Sequence, residues 1–205
     1  DSVSKALNQA IQTAEGAVLV FLEANMEITK ALWLNRIVPY IMQEEIGVLG
    51  ERLVDDSGRL KEAGYIAGLG ADNIALPIEH NSHYSTLGYM GRMYYVHNVS
   101  LVGLWGMAVK KKTWAERGGF DEHYATAYAA FDLCMKELKA GRQVVLDPYV
   151  INYEYEKPLR MFDEKEALEK DKAYLKENWG EFLAAGDPYY NKHLAKDGSF
   201  TYDYE

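Results

Sequence analysis

Apolar residues recur at Val3, Leu7, Ala10, Ile11 and Ala14. That spacing is close to the ~3.6-residue period of a helix, so it predicts a helix over 3–14 that Gly16 ends. The next run, Ala17 to Leu22, is continuously apolar and is cut off by Glu23. Glycine on one side and a charge on the other predict a strand buried on both faces, as in a parallel sheet. A second helix is predicted over 30–43, with Trp33, Leu34, Ile37, Val38 and Ile41 on one side and Pro39 kinking it or marking its last turn. Ile46 to Leu49 reads as a strand and Asp55-Asp56-Ser57-Gly58 as a turn.

From Gly68 to Met93, glycines punctuate a stretch rich in His, Asn and Tyr. It reads as a long irregular segment, a usual home for binding residues. Two short strands broken at Gly103 and Gly106 are predicted over 97–109, then a short helix over 111–117, the Gly118-Gly119 turn, and a helix over 126–140 capped by Gly141. Gln143 to Leu146 and Tyr149 to Tyr155 read as strands joined at Asp147-Pro148. A charged amphipathic helix over 163–179 and a tyrosine-rich tail over 185–205 follow. Alternating strands and helices predict one α/β domain over 1–205. In such sheets ligands bind beyond the carboxyl ends of the strands, where Glu23 to Asn25 would lie.

Composition narrows the function classes. A net charge of -9 argues against a nucleic-acid partner or an anionic membrane surface. No run approaches the ~18–20 apolar residues of a membrane-spanning helix, so no membrane insertion is expected. The single cysteine, Cys134, excludes an internal disulfide and fits a reducing, cytoplasmic setting. The start at Asp1-Ser2-Val3-Ser4 suggests a piece of a longer protein.

The stretches SKALNQAIQTAEGAVLVFLEANMEIT, SGRLKEAG, VGLWGMAVKKKTWAERGGFDEHY, FDLCMKELKAGRQVVLDPYVINYEYE and DPYYNKHLAKDGSF resemble, in that order, family-2 glycosyltransferases of the bacterial surface-polysaccharide and O-antigen type. The resemblance implies a GT-A-like, Rossmann-like fold, a mixed central sheet flanked by helices, lacking here the amino-terminal nucleotide-binding portion. It also implies a nucleotide-sugar or saccharide ligand, with other glycosyltransferase domains or assembly proteins as partners. The family's Asp-x-Asp motif, which holds manganese or magnesium against a diphosphate, falls on Glu23 and Asn25. Its general base falls on Ala130, which accepts no proton, and a His that often ligates the metal falls on Glu154. Asp132 and Asp121 are weak substitutes for the base. Trp105, Gly106, Asp121 and Glu122 fall on donor- or acceptor-binding segments.

These departures imply a glycosyltransferase-like domain with a degenerate catalytic set that binds a divalent cation weakly. Two alternatives stand beside it. One is an active, atypical metal-dependent transferase in which Glu23 and Glu154 share the cation; the other is a carbohydrate- or partner-binding module using Tyr84, Tyr89, Tyr94, Tyr95 and Trp105. By residue type alone, Glu23 and Asn25 also suit the cap of a helix starting near Thr29, Glu154 and Glu156 an exposed edge face, and His80, His83 and His97 a zinc cluster that lacks a completing ligand.

Overall fold

The computed structural model describes residues 2–155 and 165–203. The first helix, α1 (Val3–Thr13), starts where the Ser2 side chain accepts a hydrogen bond from the Lys5 N–H, an ordinary N-cap. Strands β1 (Val18–Val20) and β2 (Met26–Ile28) precede α2 (Leu34–Ile41). Then come β3 (Ile46–Val54), β4 (Leu60–Glu62), β5 (Tyr65–Ala67), β6 (Ala75–Pro77), β7 (His97–Asn98) and β8 (Ala108–Lys110). The helices α3 (Lys111–Glu116) and α4 (Ala129–Lys139), the strand β9 (Gln143–Glu154) and α5 (Lys165–Ala185) complete the order.

The main sheet runs β1-β8-β3-β9-β2, with β4 added to β3 and β7 to β9. Its central pair, β3 and β9, is parallel, whereas β1 with β8, β8 with β3 and β2 with β9 are antiparallel. Side chains alternate between two cores, as period 2 requires. Val48, Val109, Val144 and Leu146 face one that α1, α4 and α5 cover, and Leu49, Ala108, Val145 and Val150 face another that α2 covers. The result is three layers with the sheet in the middle, the mixed α/β arrangement expected.

Several details differ from the pattern-based expectation. β1 is an edge strand with only Leu19 buried, so its apolar neighbours reflect packing on α2 rather than membership of a parallel core. Residues 23–25 lead into β2, not into a helix cap, and α2 begins only at Leu34. The two strands expected around Pro148 are one. The ladder pairs Gly50 with Leu146 and Arg52 with Ile151, so 147–150 bulge opposite Glu51 and Pro148 needs no ladder N–H. The segment expected to be irregular, 68–93, contains β6, which pairs with β5 just before it. The last helix extends to Ala185; its expected start at 163 lies outside the described residues, as does Glu156.

Candidate functional site

β1 and β2 lie at opposite edges of the sheet, so the six-residue passage from Phe21 to Met26 carries the chain from one edge to the other on the side where β3 and β9 end. This is why the apolar run stops on Glu-Ala-Asn: the strand has left the sheet and crosses its carboxyl end. The turn is closed by the Met26 N–H donating to the Glu23 carbonyl at 3.0 Å. Met26 pairs with Glu154, and the Tyr155 N–H donates to the Asn25 carbonyl at 3.2 Å. Asn25 and Glu154, 129 positions apart in sequence, therefore sit on adjoining strands at one end of the sheet.

Each side chain already has one partner. Asn25 Nδ2 donates to the Tyr155 carbonyl at 3.0 Å, and its Oδ1 is buried without a protein partner. The Glu154 carboxylate is paired with the Lys61 ammonium of β4 at 2.7 Å, with that carboxylate side chain only 11% exposed. A divalent cation at this end would have to displace Lys61 from Glu154 and draw on a neutral amide already turned to Tyr155. No group of three or more His, Cys, Asp or Glu among the described residues is arranged to hold a metal. With their present partners, Asn25 and Glu154 do not fit the cation that the resemblance implied.

The base position gives the same answer. Ala130 opens α4 with no solvent exposure and packs in the larger core. Asp132, one half-turn on, is buried and held: Trp179 Nε1 donates to it at 2.8 Å and Lys136 pairs with it at 2.7 Å. Asp121 is likewise committed. It accepts the His123 N–H at 3.0 Å, the His123 ring at 2.8 Å and the Tyr174 hydroxyl at 3.0 Å. Burial alone pushes its carboxyl up, but these donors together hold it below the ordinary aspartate range. Asn8 of α1 clasps the neighbouring turn, its amide bonding both the Phe120 backbone and the Glu122 carboxylate. Asp121 and Glu122 thus join this turn to α5 and α1.

Two acids that the sequence pattern did not single out lie inside the fold. Glu51, in the middle of β3, accepts from Asn152 Nδ2 of β9, while its second oxygen and Asn152 Oδ1 are buried without partners. Glu62 of β4 accepts the Gly103 N–H, and the Tyr65 hydroxyl at 3.3 Å. Burial pushes Glu51 up to about 8 against the pull of Asn152, and Glu62 up to about 7 against its two donors. A β-carbon on Gly106 would run into the Glu51 side chain, and one on Gly103 into Glu62. Gly106, expected on a ligand-binding segment, makes room for Glu51, and Trp105 beside it packs partly buried on the core.

Because Gly106 also sits at φ 86°, Gly106→Ala combines backbone strain with overlap at Glu51. It should lower stability by roughly 2 kcal/mol, read as a reduced urea midpoint at unchanged slope.

The histidines do not gather. His80 Nδ1 lies 3.2 Å from the Lys61 carbonyl, and His83 Nδ1 lies 2.7 Å from the Ser85 hydroxyl. His97 is bonded to the Tyr95 carbonyl and Arg92, and its burial lowers its pKa to about 4. Asn98 of the Asn98-Val99-Ser100 sequon lies in β7, with Val99 and Ser100 buried.

No protein-family profile matches the chain. It is 28% identical over 197 residues to an uncharacterized protein, y4gI, of Sinorhizobium fredii, covering 92% of this chain and 21% of that protein. It is 26% identical over 192 residues to the O-antigen biosynthesis protein RfbC of Myxococcus xanthus, covering 91% of this chain and 14% of that one. The chain thus spans about a fifth or less of the curated relatives it matches. Among solved structures it superposes on GalNAc-T7, crystallised with UDP, GalNAc and Mn2+, with a TM-score of 0.66 and 14% identity over 89% of this chain and 36% of that one. The sheet order, the crossing at its carboxyl end and this superposition make the chain a domain of the GT-A glycosyltransferase fold.

Proposed function

We propose that the chain is a glycosyltransferase-like domain of the family-2 type, part of a larger protein of polysaccharide biosynthesis, and that it does not itself transfer sugar. The observation that carries this reading is the Lys61–Glu154 ion pair at the sheet end. An ammonium already satisfies the carboxylate that a metal would need, so a nucleotide-sugar leaving group gains no divalent cation there. Ala130 supports it independently, since an inverting transfer needs a positioned acceptor for the hydroxyl proton, an effect of about 10²–10⁴ in rate. Among the described residues no helix is long and apolar enough to cross a membrane. The domain works in the cytoplasm beside an active transferase or an assembly partner.

The test is release of nucleoside diphosphate from a panel of nucleotide-sugars, with and without manganese, by the unaltered chain itself. No release above background is expected, and Lys61→Met alone should not create it, because the base is still absent. The set Glu23→Asp, Asn25→Asp, Ala130→Asp and Glu154→His should release more than the unaltered protein. Turnover at an ordinary rate of about 1 s⁻¹ by the unaltered protein, abolished by Glu23→Ala, would overturn the proposal.

A further inference from the structure

Outside the sheet end, the segment from Leu76 to Tyr89 and the tail from Asp197 to Phe200 enclose a groove of about 830 Å³, within the range of small-ligand sites. Its aromatic wall is set by packing. Tyr89 stacks on Phe200 with centroids 4.9 Å apart and rings 14° from parallel, and the Arg92 guanidinium lies 5.4 Å from the centroid of Phe200. Tyr89 nevertheless stays 38% exposed and lines the groove. The polar wall is set by hydrogen bonds. Glu79 accepts the Tyr89 N–H at 3.0 Å and the Ser82 hydroxyl at 3.4 Å, and Asp197 accepts the Ser199 N–H at 2.8 Å.

Two non-glycine residues on opposite walls, Glu79 at φ 53° and Phe200 at φ 56°, hold left-handed backbone. Such conformations are costly and persist where surrounding contacts impose them. The walls also meet directly, since a side chain at Gly198 would overlap Leu76.

We propose that this groove binds a neutral saccharide. A partly exposed tyrosine ring fixed beside two hydrogen-bonded carboxylates and the Ser82 and Thr86 hydroxyls suits a sugar ring, which presents C–H groups on its face and hydroxyls at its rim. Among the described residues the lining holds Glu79 and Asp197 but no lysine or arginine, which disfavours phosphate and uronate ligands. The groove also adjoins the sheet end. Nδ1 of His80, on its wall, faces the carbonyl of Lys61, the residue whose ammonium pairs with Glu154. A carbonyl accepts only, so Nδ1 is the donor in this contact. The proposal deepens the polysaccharide reading above and rests on it for the source of the glycan.

The experiment is saturation-transfer-difference NMR of the full chain with methyl glycosides of neutral hexoses and N-acetylhexosamines, and their disaccharides, at millimolar concentration. Transfer to ring protons is expected, falling roughly fivefold in Tyr89→Ala through loss of the stacking face, and falling also in Asp197→Asn, while Glu15→Gln keeps it. Should Tyr89→Ala not fold, the exposed Asp197→Asn still decides. The proposal is overturned if no glycoside receives saturation, if both variants match the unaltered chain, or if capped neutral peptides compete the glycosides away at lower concentration. Diphosphate release by the unaltered chain would overturn the non-catalytic reading and leave glycoside binding standing; absence of glycoside binding would do the reverse.

Discussion

Glu51→Gln should raise the melting temperature at pH 8.5 and leave it nearly unchanged at pH 4.5. In the folded chain burial pushes the Glu51 carboxyl from its ordinary 4.5 up to about 8, and Glu62 up to about 7. Between those limits the folded state binds protons that the unfolded state has released, so stability is fully present below pH 4.5 and is lost as pH rises through 7 to 8. At 1.36 kcal/mol per pH unit the Glu51 displacement corresponds to roughly 5 kcal/mol and that of Glu62 to roughly 3. The two are coupled, because the charge of Glu62 adds to the upward push on Glu51, so the effects will not sum. Glutamine at 51 keeps an oxygen for Asn152 Nδ2 and brings an amide that can donate to the unpartnered Asn152 Oδ1. For a chain of this size a gain of a few kcal/mol is about 5–10 °C. Calorimetry that gives the same difference between variant and parent at both pH values would rule out the buried acid as the cause.

Those acids were the least legible part of the sequence. Glu51 interrupts the run Ile46 to Val54, every residue of which is buried, and a charge there reads as the end of a strand. What permits it lies elsewhere in the chain: Gly106 yields the space and Asn152, two residues past the bulge at 147–150, supplies the hydrogen bond. A glycine that makes room for a distant side chain looks, in one sequence, like any loop glycine. α1 and α3 were legible to within a residue because their apolar positions or flanking glycines repeat locally. β4, β5 and β6 were not, since three residues give period 2 no room to register. The arrangement at the sheet end was half visible. The stop on Glu23 to Asn25 marked a strand leaving the sheet, but nothing local to Glu154 announced that Lys61 would neutralise it.

Asp171→Ala should cost at least about 3 kcal/mol and loosen α5 before the rest of the chain unfolds. That helix is rich in charge, and its buried residues are few: Asp171, Leu175 and Leu183. Asp171 is 2% exposed and accepts three hydrogen bonds, from the Ala125 N–H at 3.1 Å, the Thr126 N–H at 2.7 Å and the Thr126 hydroxyl at 2.7 Å. Bonds to a carboxylate contribute about 1.5–3 kcal/mol each, and their loss strands the Thr126 donors in a buried position. The same short segment anchors α1: the Val3 N–H donates to the Ala125 carbonyl at 3.0 Å and the Ser4 hydroxyl to the Tyr124 carbonyl at 2.7 Å. Residues 124–126 therefore tie the first and last helices to the start of α4, and Asp171 is the carboxylate that α5 sends to them, beside the Tyr174 ring on Tyr124. Asp171→Asn retains one oxygen but turns an amide toward N–H donors, so it should recover less than half of the loss. Urea unfolding gives the magnitude, and hydrogen exchange gives the order of opening, with α5 amides losing protection ahead of β3 and β9. A change within ~0.5 kcal/mol, the range of an ordinary surface substitution, would mean that Leu175, Leu183 and the Tyr174 and Trp179 hydrogen bonds hold the helix in place without it.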